Sequence, residues 1–118
     1  MSEIEISIVI PVYNSSSIIE ELHKRISNAL SVSYEIIFVN DCSKDDSWQK
    51  IISLSKIHPS ITGVHFRKNS GQDNALLAGL RIAKGNYCVI MDDDLQHDPN
   101  DILKLYTECK KGYDVSIY

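Results

Sequence analysis

The chain has 118 residues, 43% of them hydrophobic and 24% charged, which is enough for one domain around one core. Its net charge of −4 argues against a dedicated nucleic-acid binder, which would carry a basic face. No apolar run approaches the roughly 20 residues that a membrane helix needs, and residues 1–5 are acidic and lack a signal-peptide pattern.

The chain reads as alternating strands and helices. Ile6 to Ile10 is a first strand, rich in β-branched residues. Ser17 with Glu20 fits a capping box, and Ile18, Leu22, Ile26 and Leu30 give the amphipathic helix that follows. Tyr34 to Val39 is a second strand. Ser43 and Asp46 are candidate caps of a second helix whose Trp48, Ile51 and Ile52 face the core. Ile61 to Phe66 is a third strand, with Ile61, Gly63 and His65 on one face and Thr62, Val64 and Phe66 on the other. Gln72 to Lys84 is a third helix, with Gly85 as its C-cap. The apolar run Tyr87 to Met91 is a buried strand in which Cys88 is a small core residue. Asp98-Pro99 opens a fourth helix that runs to about Lys111, Gly112 ends it, and Tyr113 to Tyr118 begins another strand. Cys42, Cys88 and Cys109 are odd in number and lack CxxC spacing, so free thiols in a reducing cytosol are expected.

This alternation predicts an α/β fold, a Rossmann-like and mostly parallel sheet with helices on both faces. Ligands of such sheets bind beyond the carboxyl ends of the strands. Polar clusters stand there. Tyr13-Asn14 follows the first strand, Asn40-Asp41 the second, Arg67-Lys68-Asn69 the third and Asp92-Asp93-Asp94 the fourth. One crevice is expected to collect all four. Three adjacent carboxylates repel one another unless a cation or water offsets them. In an extended chain Asp92 and Asp94 face one point while Asp93 faces away, and two such oxygen donors suit Mg²⁺ or Mn²⁺ shared with substrate phosphates. Taken alone, the triplet reads equally as a polar loop before a helix capped by Asp98.

Asp41 stands where an acidic residue can accept from a ribose hydroxyl or a base N–H; a turn or cap role beside Ser43 is the alternative. Arg67 or Lys68 could meet a diphosphate or be solvated surface charges. Gly71 would allow close approach of a ligand or of backbone. Tyr13 could stack on a base or pack over the first helix. His97 is a solvent-facing residue or a metal ligand, and His23, His58 and His65 show no partner pattern. The first strand-to-helix turn, Pro11 to Ser16, holds no glycine. GxGxxG and GxxxxGK[ST] are both absent, which excludes the usual nicotinamide dehydrogenase and P-loop patterns.

Four segments together carry a family resemblance. They are Ile8 to Asn14 (IVIPVYN), Ile37 to Ser43 (IFVNDCS), Asn69 to Gln72 with Ala75, Ala78 and Gly79, and Met91 to Pro99 (MDDDLQHDP). The chain resembles glycosyltransferase family 2, nearest the dolichyl-phosphate mannose synthase-like and undecaprenyl-phosphate sugar transferase-like branch. The resemblance implies a GT-A fold and metal-dependent, inverting transfer from a UDP- or GDP-sugar to a lipid-phosphate or saccharide acceptor. It implies that Pro11 and Tyr13 line the nucleoside pocket, that Asp41 reads the base, and that Lys68 and Gly71 lie near the base or ribose. It makes Asp92 and Asp94 the D-x-D metal pair, Asp93 the variable middle residue that can touch ribose or phosphate, and Gln96 a further metal ligand, with Mn²⁺ or Mg²⁺ as the ion.

Family members run longer than this chain. Residues 1–118 are therefore expected to be a donor-binding part, truncated before the acceptor half and the catalytic base and inactive alone. A cytoplasmic protein, with its parent at the cytoplasmic face of a membrane, is expected, and homodimerisation is left open. Two other readings compete. One is a non-catalytic nucleotide-binding or assembly module. The other is a sugar-phosphate nucleotidyltransferase, which Pro11-Val12-Tyr13-Asn14 fits poorly in place of a glycine-rich loop.

Overall fold

A computed structural model describes residues 3–95 and 98–110. Its order is β1 (Ile6–Val12), α1 (Ile19–Ala29), β2 (Tyr34–Asn40), α2 (Ser47–Ile57), β3 (Ile61–His65), α3 (Gln72–Ile82), β4 (Tyr87–Ile90) and α4 (Asn100–Lys110). The four strands form one sheet in the order β3-β2-β1-β4, and every neighbouring pair is parallel. The proposed strand from Tyr113 lies outside the described residues.

Side-chain alternation divides the core. Ile6, Ile8, Ile10 and Val12 of β1, with Ile36 and Phe38 of β2, pack against Ile19, Leu22 and Ile26 of α1, Ile51 of α2 and Ile102 and Tyr106 of α4. Val9, Ile37 and Val39 point the other way, onto Ala75 of α3. The handedness of parallel crossovers accounts for α3 lying alone. The connections β1 to β2 and β2 to β3 step one way across the sheet and β3 to β4 steps back, so a right-handed crossover places its helix on the opposite face. Strand β3 has the expected faces: Val64 packs on the α3 side, while the His65 ring stacks 4.7 Å from Trp48 of α2.

Several local expectations are corrected. Neither α1 nor α2 has a side-chain cap bond from its N-cap residue, so Ser17–Glu20 is not a capping box and Asp46 does not cap its helix. Instead Asp45 Oδ1 accepts from the backbone N–H of Ser47 at 3.0 Å. Helix α3 stops at Ile82 and its C-cap residue is Ala83, in extended conformation. Gly85 serves close approach: a Cβ there would stand 2.7 Å from the backbone nitrogen of Ser7. The Gly85 N–H donates to Ser7 Oγ at 2.7 Å, and Ser7 Oγ–H donates to the buried Glu35 carboxylate at 2.6 Å. This satisfied polar row pins the end of α3 to the sheet.

Cys88 is exposed, not core, because the strand order makes β4 an edge of the described sheet. Its thiol is nevertheless pushed up, first by the packing that partly desolvates it and then by the Glu35 charge. Trp48 is partly buried against the core.

His23 and His58 do have partners: their rings lie 4.3 Å apart, joining α1 to the end of α2. Burial, and then the charge of His58, hold the His23 imidazole below its ordinary value of 6.5. The unfolded chain therefore takes up a proton that folded His23 resists. Its contribution to stability is present above pH 6.5 and is lost as pH falls through the lower, folded value. Tm is expected to drop between about pH 8 and about pH 5.5, and His23→Leu to flatten that drop. An unchanged pH profile in the variant would contradict this.

Candidate functional site

The carboxyl ends of all four strands meet at one cleft of about 290 Å³. It is lined by Pro11, Val12, Tyr13, Asp41, Asn69, Gly71, Gln72, Asp92 and Asp93. Among the described residues, each strand-to-helix turn that forms its rim contains one with positive φ: Asn14 (51°), Cys42 (58°), Gly71 (90°) and Leu95 (61°). Outside glycine this conformation costs roughly 1–2 kcal/mol, so three non-glycine residues there mark turns held by their surroundings.

What holds them is a closed ring of bonds between loops. The loop after β1 is tied to the loop after β2: Asn14 N–H donates to Ser43 Oγ at 3.0 Å, Lys44 N–H to Asn14 Oδ1 at 2.8 Å, and Ser15 N–H to Ser47 Oγ at 3.0 Å. Ser15 and Ser16 are thus tied to the neighbouring loop, Ser16 through its N–H to Asp45 Oδ2 at 3.1 Å and its hydroxyl to Asp46. At the same rim, burial pushes the Asp45 carboxyl up, but the hydrogen bonds from Ser47 and Ser16 together outweigh it and hold the group below its usual range.

Next, Asp41 ties β2 to the loop before α3. Its Oδ1 accepts from Ser70 N–H at 2.6 Å and its Oδ2 from Gly71 N–H at 3.0 Å. Asp41 is buried, and each oxygen keeps a lone pair for another donor. Gly71, with φ 90° and ψ 159°, takes a backbone conformation open to glycine, and a Cβ there would meet nothing within 4 Å. Asp41 thus shapes the loop before α3 rather than a turn beside Ser43, and both Asp41 and Gly71 line the cleft.

The remaining ties reach the aspartate triplet. Gln72 Nε2 donates to Asp92 Oδ1 at 3.4 Å, and Tyr13 N–H donates to Asp93 Oδ2 at 3.2 Å. The Ser15 hydroxyl donates to the same Asp93 oxygen. The alternation expected of 92–94 does not hold. Strand β4 ends at Ile90, the chain bends over 93–95, and Leu95 turns left-handed. As a result Asp92 and Asp93 line the cleft, whereas Asp94 is exposed and is not among its lining residues.

Lys68 is likewise exposed and outside the lining. Asp41 draws the Ser70 and Gly71 amides inward, so Asn69, Gly71 and Gln72 face the cleft instead. Gln96 and His97 lie outside the described residues. Asn69 and Gln72 were not expected to have a role of their own at the site. The signal that could have found them is the glycine between them, which marks a turn at a strand end.

Among the described residues no group of three or more His, Cys, Asp or Glu is placed to hold a metal. That does not count against a divalent ion here. Mg²⁺ is usually held by one or two carboxylates together with substrate phosphates, not by an all-protein cage. The cleft supplies hard oxygen donors of that kind at Asp92 and Asp93, whose Oδ2 is engaged by the first loop.

Comparison with known proteins agrees with this architecture. The family model for glycosyl transferase family 2 matches residues 7–118. The chain is 40% identical over 114 residues to a dolichol-phosphate mannosyltransferase of Pyrococcus furiosus, covering 96% of this chain and 32% of the relative. It is 38% identical over 114 residues to an undecaprenyl-phosphate 4-deoxy-4-formamido-L-arabinose transferase of Aeromonas hydrophila, covering 93% of this chain and 35% of the relative. The chain thus spans about a third of the length of these relatives. Among solved structures, a mannosyltransferase of Pyrobaculum calidifontis in complex with GDP-Man and Mn²⁺ superposes with a TM-score of 0.73 at 27% identity, covering 84% of this chain and 30% of that one. A glucosyl-3-phosphoglycerate synthase of Mycobacterium tuberculosis, with Mn²⁺ and UDP, shares the fold at a TM-score of 0.71 and 23% identity, covering 89% of this chain and 39% of that one.

Proposed function

The chain belongs to glycosyltransferase family 2, with the GT-A type of sheet, and on that premise we propose that its strand-end cleft binds a nucleotide-diphosphate sugar. In this reading residues 1–118 are the donor-binding part of a metal-dependent, inverting enzyme that passes the sugar to a lipid-phosphate or saccharide acceptor. The observation that carries the reading is the cleft itself: four independent loops, locked to one another, place Pro11, Tyr13, Asp41, Gly71, Asp92 and Asp93 around one space. The GDP-Man and Mn²⁺ in the Pyrobaculum mannosyltransferase support it.

Each residue has a task that follows from its position. Pro11 and Tyr13 give the nucleoside an apolar wall. Tyr13 is 44% exposed and so can meet a ring without first leaving a packed core. Asp41 accepts a base N–H with its remaining lone pairs, which suits uracil and guanine alike. Gly71 lets the nucleotide approach the backbone. Asp92, together with Asp94 and Gln96, would hold a Mg²⁺ or Mn²⁺ ion against the diphosphate. That ion, when bound, neutralises the charge that builds on the departing nucleoside diphosphate. Lys68, exposed beside this loop, would meet the donor only from the rim. A base that deprotonates an acceptor hydroxyl lies in the rest of the enzyme, and a phosphate acceptor needs none. We place the protein in the cytoplasm, the expected location of a nucleotide-sugar-binding part.

Calorimetric titration with UDP-, GDP- and dTDP-sugars, with and without Mn²⁺, tests this reading. Saturable binding of one of them, strengthened by Mn²⁺, is expected. Heats at the level of the buffer control for all three would refute it.

A further inference from the structure

We infer that Asp93 and Ser15 form a positioning pair that couples the metal-binding turn to the nucleoside wall. The inference rests on the donor-site reading of the cleft and adds to it a task for two side chains. Asp93 lies between the residues expected to hold the ion, yet its Oδ2 is turned away from them and onto the loop after β1. There it takes the backbone N–H of Tyr13, the residue that forms the nucleoside wall, and the hydroxyl of Ser15. Ser15 is buried and is not among the lining residues, so it can act on a ligand only through another group.

The two loops are far apart in sequence and adjacent in space. β1 and β4 are neighbours at the point where the strand order reverses, and this latch crosses from the end of one to the end of the other. The Ser15 amide is itself anchored on Ser47 Oγ, so the loop that Asp93 grips is fixed from behind as well. A shift of the 92–95 turn therefore moves the carboxylate that holds the Tyr13 amide. Ion binding at Asp92 and nucleoside binding at Tyr13 then share one mechanical element, and each is expected to favour the geometry that the other needs.

Three chains decide the matter: wild type, Ser15→Ala and Asp93→Asn, each as the 118-residue protein. Two quantities are read. The first is amide hydrogen exchange at Tyr13 without ligand. The second is the factor by which Mn²⁺ tightens binding of UDP or GDP, with the affinity for Mn²⁺ alone as reference. Both variants are expected to speed Tyr13 exchange by about tenfold, the scale of one lost hydrogen bond to a charged acceptor. Both are also expected to reduce the Mn²⁺-dependent factor by about fivefold or more, within the usual range of coupling between sites. In Ser15→Ala the affinity for Mn²⁺ alone is expected to stay within about twofold of wild type, since no metal donor is removed.

A Ser15→Ala chain with wild-type coupling beside an Asp93→Asn chain that has lost it would overturn the pair and make Asp93 a direct ligand. Wild-type Tyr13 exchange in both variants would overturn it too. If the wild-type chain binds no nucleoside diphosphate, the donor-site reading fails separately, and the exchange rates still decide whether the latch exists.

Discussion

Asp92→Asn is expected to lower the Mn²⁺-dependent gain in nucleotide-sugar affinity on the order of 100-fold, about 2.7 kcal/mol. The substitution keeps the shape of the side chain and removes one anionic oxygen donor. An amide oxygen is a neutral and weaker partner for a hard divalent ion. The cleft also holds Asp41 and Asp93, but both are oriented by backbone N–H groups of neighbouring loops, so neither is free to swing into the place of Asp92 without breaking a bond that shapes a loop. The fold should tolerate the change. Asp92 is only half-buried and its bond with Gln72 is long, at 3.4 Å, so a Tm within a few degrees of wild type is expected. Calorimetry with and without Mn²⁺, beside a thermal melt, measures both. A variant that kept the full metal dependence would take the triplet out of metal binding.

Asp41→Asn is expected to injure both fold and binding. In the native chain each carboxylate oxygen faces a backbone N–H, at 2.6 Å from Ser70 and 3.0 Å from Gly71. An asparagine must turn its NH₂ toward one of them, so a donor faces a donor in a buried place. Losing one charge-assisted bond and leaving one amide unpaired costs about 2–3 kcal/mol, or roughly 10 °C in Tm for a domain of this size. Binding measured well below that melting point separates the two roles of the residue. If Asp41 reads the base, UDP or GDP affinity falls by about tenfold or more in the folded variant, the worth of a hydrogen bond to a charged group. If it only shapes the loop, affinity measured in the cold stays near wild type. The base-reading role would then be lost while the cap role stood.

The layout of the molecule was legible because it depends on short-range patterns. The β-branched runs of β1 and β2, the four-residue spacing of α1 and the proline before α4 each report on residues a few positions away. The two faces of β3 followed from simple alternation, and Trp48 and Val64 lie on the sides that it indicates. What was missed depends on which strands become neighbours. Nothing near Cys88 says that β4 stands at the edge of the described sheet; the strand order decides it. The capping serines failed for a related reason. Ser43 has the chemistry of a cap, but its hydroxyl accepts the Asn14 N–H from a loop some 30 residues away instead.

The site shows the same division. Its four clusters were visible as polar residues at strand ends, and each contributes to the cleft as expected, the third through Asn69 rather than Lys68. The orientation within the aspartate triplet was not visible. Two-residue alternation holds only while the chain stays extended. Here a bend ends that geometry, and Asp93 finds partners 78 and 80 residues away.

Backbone amide NMR of the chain titrated with UDP and with GDP in the presence of Mg²⁺ tests the central claim most directly, because it reports where the ligand sits. The account predicts that one of the two perturbs a contiguous set at Val12, Tyr13, Asp41, Gly71, Gln72 and Asp92, and that removing Mg²⁺ shrinks the response. Perturbations confined to another surface, such as the separate cleft beside Arg25, Asn28 and Asn100, would contradict it. So would an unchanged spectrum with both nucleotides.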